Sequence, residues 1–554
     1  MRRRRQKWLP GLLLSLLGLL LVCPSVVMAA AAPLKQKDLT QRFGGVYRRP
    51  LGGNPSSLDP AHTRGDIAHT VMNQIFDGLV QFDALLNPIP AIAGFWEASV
   101  DGLTWTFYLR KQVKFHNGRE VTADDFIYSF TRILDPAVQS PVVNLFKPIR
   151  GAEDFLAGKT LRVEGLNALD RYTLQITLKE PYTPLLSILA MPNAKVVPRE
   201  EVEKLGDQFG LRPVGSGPFS FGSWESDRQI VLQAYDFYYE GRPFLDQIIF
   251  KIVKEDLASL SGFRNGEMEE SIVPNTKAGE IRDNPDFRSY IHRSKPTLHL
   301  LYIGFNTQTE PFTNQKVRQA FNYAINKEAI VREVIKSGSI MANGILPPGM
   351  PGYNPDLEGY YYNPHRAKQL LAEAGYPGGE GIPVIDLWHS SRQASTPREL
   401  EAYRKYLAEI GITVKVHKAP NWPAFKAMLT KGKAPMFRLA KRATIPDPDN
   451  FFFPLLFSQS KINRTFYRNP QVDQLLEQAR RETHYLKRIG LYRKIEKLVV
   501  QDAPWISQHH RVFEYLYQPY VRGIEINALG AYAIPMKKIW LHKLAGQRET
   551  KQRQ

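Results

Sequence analysis

The chain has 554 residues, 43% of them hydrophobic, with 73 Lys and Arg against 54 Asp and Glu for a formal net charge of +19. That length supports two or three packed lobes, and neither a repeat period nor a low-complexity segment argues for a solenoid or a disordered chain. One cysteine, Cys23, excludes disulfides and cysteine metal sites, and the charge excess lacks the aromatic-interleaved basic motif of nucleic-acid binders.

The elements begin with a targeting pattern. Arg2 to Arg5 and Lys7 form a basic region, Leu12 to Val22 an apolar run, and Val27-Met28-Ala29 a small-residue cleavage site, which together predict a secretory signal over residues 1–29. The apolar run falls short of the roughly 18 residues of a membrane span. Cleavage near Ala30 removes Cys23, whose Leu20-Leu21-Val22 context is poor for lipidation, and removal of the five basic residues leaves a charge of about +14.

Leu58-Asp59-Pro60 precedes a helix running to Phe76. The stretch from Phe76 to Pro136 is then unusually dense in signals. Asp101-Gly102 predicts a hairpin turn, after which Leu103, Trp105, Phe107 and Leu109 alternate with Thr104, Thr106, Tyr108 and Arg110 as a half-buried strand. Asn117-Gly118 marks the next turn. Thr122 stands as a helix N-cap, with Asp124 and Asp125 in the first turn and Phe126, Ile127 and Phe130 on the apolar face. Further on, Pro213 to Phe219 forms a glycine-rich turn that calls for permissive backbone angles and lacks the lysine of a phosphate loop. Tyr235 to Pro243, Leu245-Asp246, Phe263 to Glu267, Gly304 to Thr307 and Pro311 to Ala320 follow. Asn363 as cap, Pro364 in the first helical position and Gly375 beyond Ala374 delimit one helix.

In this order, over roughly residues 45–543, these motifs closely resemble the extracytoplasmic solute-binding proteins of ABC importers, the peptide/nickel-binding class known as family 5. The resemblance implies an α/β fold, a two-lobed periplasmic-binding-protein clamp of type II with a subdomain inserted in the first lobe. The corresponding division is residues 1–29 as signal, 45–77 with 195–293 and 519–543 as the first lobe, 78–194 as its inserted subdomain, 294–518 as the second lobe and 544–554 as a basic tail. The chain then crosses between lobes near Arg293 and Gln518, and ligand lies in the cleft. It further implies a peptide or peptide-like ligand, no cofactor, an ABC permease as partner, a monomer and a periplasmic location. The alternative is a secreted sensor or chaperone-like binder of a non-peptide anionic ligand, uncoupled from transport.

Candidate ligand-binding residues follow from the same resemblance. Peptide-binding relatives fix the ligand's amino terminus with an aspartate in a stretch resembling F-R-L-G-W-I-A-D-Y-P-D-P. Here Phe437 to Pro448 matches it, with Lys441 in place of the tryptophan and Thr444 in place of the aspartate. A threonine lacks the charge-assisted pairing with an ammonium. Arg438 matches an arginine that meets a ligand carboxylate or serves structure, and Trp422 matches a pocket tryptophan or packs in the core. Arg64, Gly65, Asp66 and Ile67 fall on the first-lobe segment that touches ligand, with Arg64 where some relatives carry glutamate. Lys441 and Arg442 add positive charge near Thr444 or point to solvent. The cleft is therefore expected to favour an anion over a free amine, unless a shifted turn brings Asp447 or Asp449 to the amine.

Catalytic and metal readings find less support. Ser458 to Lys461 fits S-x-x-K without companion signatures, and H-E-x-x-H, P-loop and G-x-S-x-G patterns are absent. His509-His510 invites a metal, but adjacent residues on a strand face opposite ways, which predicts one core and one exposed histidine. The reading is a binding protein without catalytic residues or a metal.

Overall fold

Alternation builds the first sheet. In Val46–Leu51, Tyr47, Arg49 and Leu51 turn inward, and the strand pairs in parallel with Gln247–Ile252. Gln229–Ala234 and Phe219–Glu225 extend this four-stranded sheet in antiparallel fashion. The helix Asp66–Ile75 buries Val71, Met72 and Ile75 in a core shared with Tyr47, Leu232, Ile248 and Phe250. The structure, a computed structural model, describes residues 42–274, 277–336, 338–391 and 395–542. The signal segment 1–29 and the tail 544–554 lie outside the described residues.

A second four-stranded sheet, ordered Ala93–Ala98, Thr104–Leu109, Thr173–Thr177 and Leu166–Asp170, forms the heart of the segment between the first helix and Lys195. The hairpin turns at Gly102, whose φ of 69° suits glycine. Trp105, Phe107 and Leu109 are buried. The helix Ala123–Leu134 starts where Thr122 predicts, and Asp125 Oδ2 accepts a 2.8 Å hydrogen bond from the Thr122 backbone N–H, one half of a capping box. Phe126 and Phe130 are fully buried and Ile127 is half-buried. Asp59 of the Leu58-Asp59-Pro60 motif reaches this helix, where Arg132 grips it with bonds of 2.7 and 2.6 Å. Burial alone would raise the Asp59 carboxyl, but hydrogen bonds from His62 and Arg132 hold it down at about 2.

The glycine-rich turn has a different cause from the expected one. Neither Gly215 nor Gly217 adopts positive φ. A Cβ on Gly215 would stand 2.1 Å from the Ile75 carbonyl oxygen, and one on Gly217 would stand 2.6 Å from its carbonyl carbon. Space, rather than backbone torsion, excludes a side chain there.

The largest sheet among the described residues has seven strands. Its path runs Glu270–Ile272, Trp505–Tyr517, Ile291–Phe305, Met436–Arg442, Ile385–His389 and Val414–Lys418, with Ile340–Met341 also paired to Trp505–Tyr517. Ile291–Phe305 and Trp505–Tyr517 are its two long members. Tyr515 and Tyr517 pack in the first core, whereas Leu300, Tyr302, Ile303, Trp505 and Ile506 pack in the cores of the second lobe. Their antiparallel register breaks between Pro296 and Leu300, where the pair leaves one core for the other. Two continuous strands thus contribute side chains to the cores of both packed bodies and join them. The helix Pro364–Glu373 opens with the Asn363 side chain accepting from the Arg366 N–H and ends before Gly375 at φ 91°.

Candidate functional site

Two cavities flank the end of the strand Met436–Arg442. The larger, about 800 Å³, is walled by Arg438, Leu439 and Ala440 of that strand. His299 and Leu301 of one long strand and His509 and Arg511 of the other complete its floor. The smaller, about 200 Å³, takes Arg442, Ala443 and Thr444 from the same chain segment. Across it stand Arg64, Gly65 and Asp66, at the start of the first-lobe helix. A volume of 800 Å³ suits a ligand of several residues' size.

The expected site residues are thus divided between two spaces. Trp422 and Arg438 line the larger cavity, and Arg64, Gly65, Asp66, Arg442 and Thr444 line the smaller. Trp422 opens the helix Trp422–Thr430 and keeps 54% of its surface exposed, its ring edge-on to Phe425 at 6.1 Å. An indole so exposed at a cavity mouth is available for stacking. Ile67 packs against the first-lobe core.

Arg438 is buried, and its guanidinium is held by Glu399 through Nε at 2.6 Å and Nη2 at 3.0 Å. Its positive charge is thereby matched within the protein. Lys441 sends Nζ to Asn450 Oδ1 at 3.3 Å and lies over the Phe451 ring, and burial lowers it to about 8 against the pull of Asp449. Arg442 spans from the second-lobe strand to Asp66, donating from Nη2 to Oδ1, and stacks on Tyr532. With both partners more than a third exposed, this bridge contributes at most about 1 kcal/mol. It does occupy Asp66, the single carboxylate lining the smaller cavity among the described residues. Thr444 is exposed there and is tied to Asn450, whose Nδ2 donates to Thr444 Oγ1 at 3.0 Å.

Asp447 and Asp449, the alternative anchors for an amine, are both buried and engaged. Arg488 binds Asp447 at 2.6 and 2.9 Å, and Arg480 binds Asp449 at 2.9 and 3.3 Å. Neither lines either cavity.

The expectation that one of His509 and His510 is exposed fails, for both are buried. Side chains on both faces of their strand are covered, since every residue from Trp505 to His510 is buried. His510 Nδ1 meets the His299 carbonyl at 3.1 Å, while His509 faces the larger cavity with a buried Nδ1 that has no hydrogen-bond partner among the described residues. Burial, reinforced by the nearby positive charges of Arg438 and Arg511, pushes His509 down to about 3; burial with Arg442 and Arg511 does the same for His299. Both rings are therefore neutral at ordinary pH. Among the described residues, no group of three His, Cys, Asp or Glu is placed to hold a metal ion.

Sequence reasoning missed His299, Arg398, Glu399 and Arg511. A period-two signal for one of them was present: residues 509 and 511 share a strand face, so the histidine singled out for chemistry carried Arg511 with it.

Two cores joined by two strands, with a large cavity against those strands, define a clamp-type binding protein. Comparison with known proteins gives its family. Residues 87–463 match the model for bacterial extracellular solute-binding proteins, family 5 Middle, and the chain belongs to that family of solute-binding proteins. It is 32% identical to Heme-binding protein A of Haemophilus influenzae over 86% of this chain and 88% of that one. To the Dipeptide-binding protein of Escherichia coli it is 30% identical, over 92% and 95% respectively. The ABC transporter-associated periplasmic binding protein DppA from Helicobacter pylori, solved in complex with peptide STSA, matches with a TM-score of 0.71 at 28% identity, over 92% of this chain and 100% of that one. The fold is thus the α/β two-lobed clamp of periplasmic binding proteins that the motifs implied. Among the described residues no helix is long and apolar enough to cross a membrane.

Proposed function

We propose that this protein is the periplasmic substrate-binding component of an ABC importer. It holds a peptide or peptide-like solute in the cleft between its lobes and delivers it to a permease, working as a monomer after its signal has been cleaved. The observation that carries this reading is the 800 Å³ cavity against the strands shared by the two lobes, in a chain 30% identical over nearly its whole length to a dipeptide-binding protein. Extended peptides suit such a space because their backbone pairs with strand edges while side chains enter pockets.

The proposed division is the one implied by the motifs, with the inserted subdomain at residues 78–194 and crossings near Arg293 and Gln518. A second reading, a binder of a non-peptide anionic solute, draws support from Arg398, Lys336 and Arg511 in the larger cavity, which make no side-chain hydrogen bond among the described residues, and from the relative named for heme.

Titration calorimetry with di- to pentapeptides tests the proposal. Binding is expected, and N-acetylation should weaken it less than about tenfold, because Thr444 is uncharged and Asp66 already holds Arg442. Were a buried carboxylate the amine's anchor, stranding it would cost about 3–5 kcal/mol, a few hundred-fold or more in affinity. Absence of binding across the panel would remove the peptide reading; a large acetylation penalty would return an acid to the amine site.

A further inference from the structure

The charges lining the larger cavity are unevenly satisfied. Its two carboxylates are both engaged, Glu399 by Arg438 and Glu280 by Lys277 at 2.6 Å. Among the described residues Arg398, Lys336 and Arg511 make no side-chain hydrogen bond or close ion pair, and the carboxylate that acts on Arg511, Asp256, does so without a hydrogen bond to it. Arg398 and Lys336 are exposed at the rim, where water satisfies them. Arg511 is different. It is half-buried on a central strand of the sheet, and its guanidinium rests on the Phe513 ring at 4.5 Å from the centroid. Stacking satisfies one face of the guanidinium and none of its five N–H donors.

On the same strand face, two residues away, His509 presents its buried and unpartnered Nδ1. Arg438, whose charge acts on His509, and Arg442, whose charge acts on Arg511, are committed to Glu399 and Asp66. The cavity floor therefore holds a planar array of donors that the protein leaves open. A half-buried guanidinium of this kind matches a carboxylate, which can accept two parallel N–H bonds.

We propose that Arg511 is the receptor for an acidic group of the transported solute, so that the protein selects peptides or peptide-like molecules carrying a carboxylate directed into the second lobe. This rests on the peptide-binding reading above and specifies its substrate class. The carboxylate can be the ligand's own C-terminal group or an acidic side chain. Trp422, across the same cavity, offers its exposed face to the body of the ligand.

Calorimetry on the full exported chain with four peptides tests this: Ala-Ala-Ala, its C-terminal amide, Ala-Glu-Ala and the amide of Ala-Glu-Ala. The wild type should bind Ala-Ala-Ala, Ala-Glu-Ala amide or both about 10- to 100-fold more tightly than Ala-Ala-Ala amide, the worth of charge-assisted hydrogen bonds. Loss of affinity on amidation of Ala-Ala-Ala identifies the terminal carboxylate; retained affinity of Ala-Glu-Ala amide identifies the side chain. Arg511→Met, which keeps an unbranched apolar stem, should abolish the preference, so that within this variant the acid-bearing peptides bind no more than about threefold more tightly than Ala-Ala-Ala amide. Arg511→Lys should keep part of the preference, since an ammonium supplies charge without the fork. Thermal melting confirms that both variants fold. Acid preference retained in Arg511→Met, or no preference in the wild type while peptides still bind, would overturn the assignment and leave the peptide reading standing. Failure of all four to bind would overturn both.

Discussion

Replacing Asp447 by alanine should destabilise the second lobe by about 3–5 kcal/mol, among the largest losses available from a single substitution in this chain. Asp447 and Arg488 are both nearly inaccessible, with side-chain exposures of 6% and 4%. Removing the carboxylate strands a guanidinium whose remaining bonds go to the Ala479 carbonyl at 3.1 Å and the Tyr492 hydroxyl at 3.2 Å. The neighbouring Asp449 offsets part of the loss, but it is itself bound to Arg480. Replacing both partners, as Asp447→Leu with Arg488→Met, should cost less than Asp447→Ala alone, because neither charge is then left buried without its mate. Urea unfolding followed by tryptophan fluorescence measures both. A loss below about 1 kcal/mol in Asp447→Ala would contradict the buried pairing.

Glu496 predicts a pH dependence of unusual sign for a carboxylate. It lies on the helix Tyr485–Asp502, is 2% exposed, and its Oε1 accepts from the Ile345 N–H at 2.6 Å and the Leu346 N–H at 2.9 Å. Burial raises it from 4.5 to about 7, only partly opposed by those two hydrogen bonds. The folded state thus binds this proton more tightly than the unfolded state. Its contribution to stability is fully present below about pH 4.5 and is lost as pH rises through about 7. Glu496→Gln keeps an oxygen acceptor and has no proton to lose. Relative to wild type it should gain up to about 3 kcal/mol between pH 4.5 and pH 8. Parallel melting curves at the two pH values check this; an equal pH response in both proteins would refute it.

How far the sequence could be read depended on the range over which each feature is decided. The Asn363 cap, the Gly375 stop, the Thr122–Asp125 capping box and the inward Trp105, Phe107 and Leu109 are settled within a few residues of chain, and they stand as their residue types dictate. The glycine-rich turn was located correctly but for the wrong reason, because the Ile75 carbonyl that forbids a side chain is brought there by folding. Charges were harder. Arg438 finds Glu399 across 39 positions, and Asp447 finds Arg488 across 41, so local pattern could not show which cations are neutralised. Arg511 stood out only once the partners of its neighbours were known.

We propose that the clamp closes on its solute by bending the strands Ile291–Phe305 and Trp505–Tyr517. Small-angle X-ray scattering tests it most directly, with and without a saturating amount of the tightest-binding peptide. The account predicts a smaller radius of gyration in the presence of the peptide, and an unchanged scattering profile at saturation would contradict it.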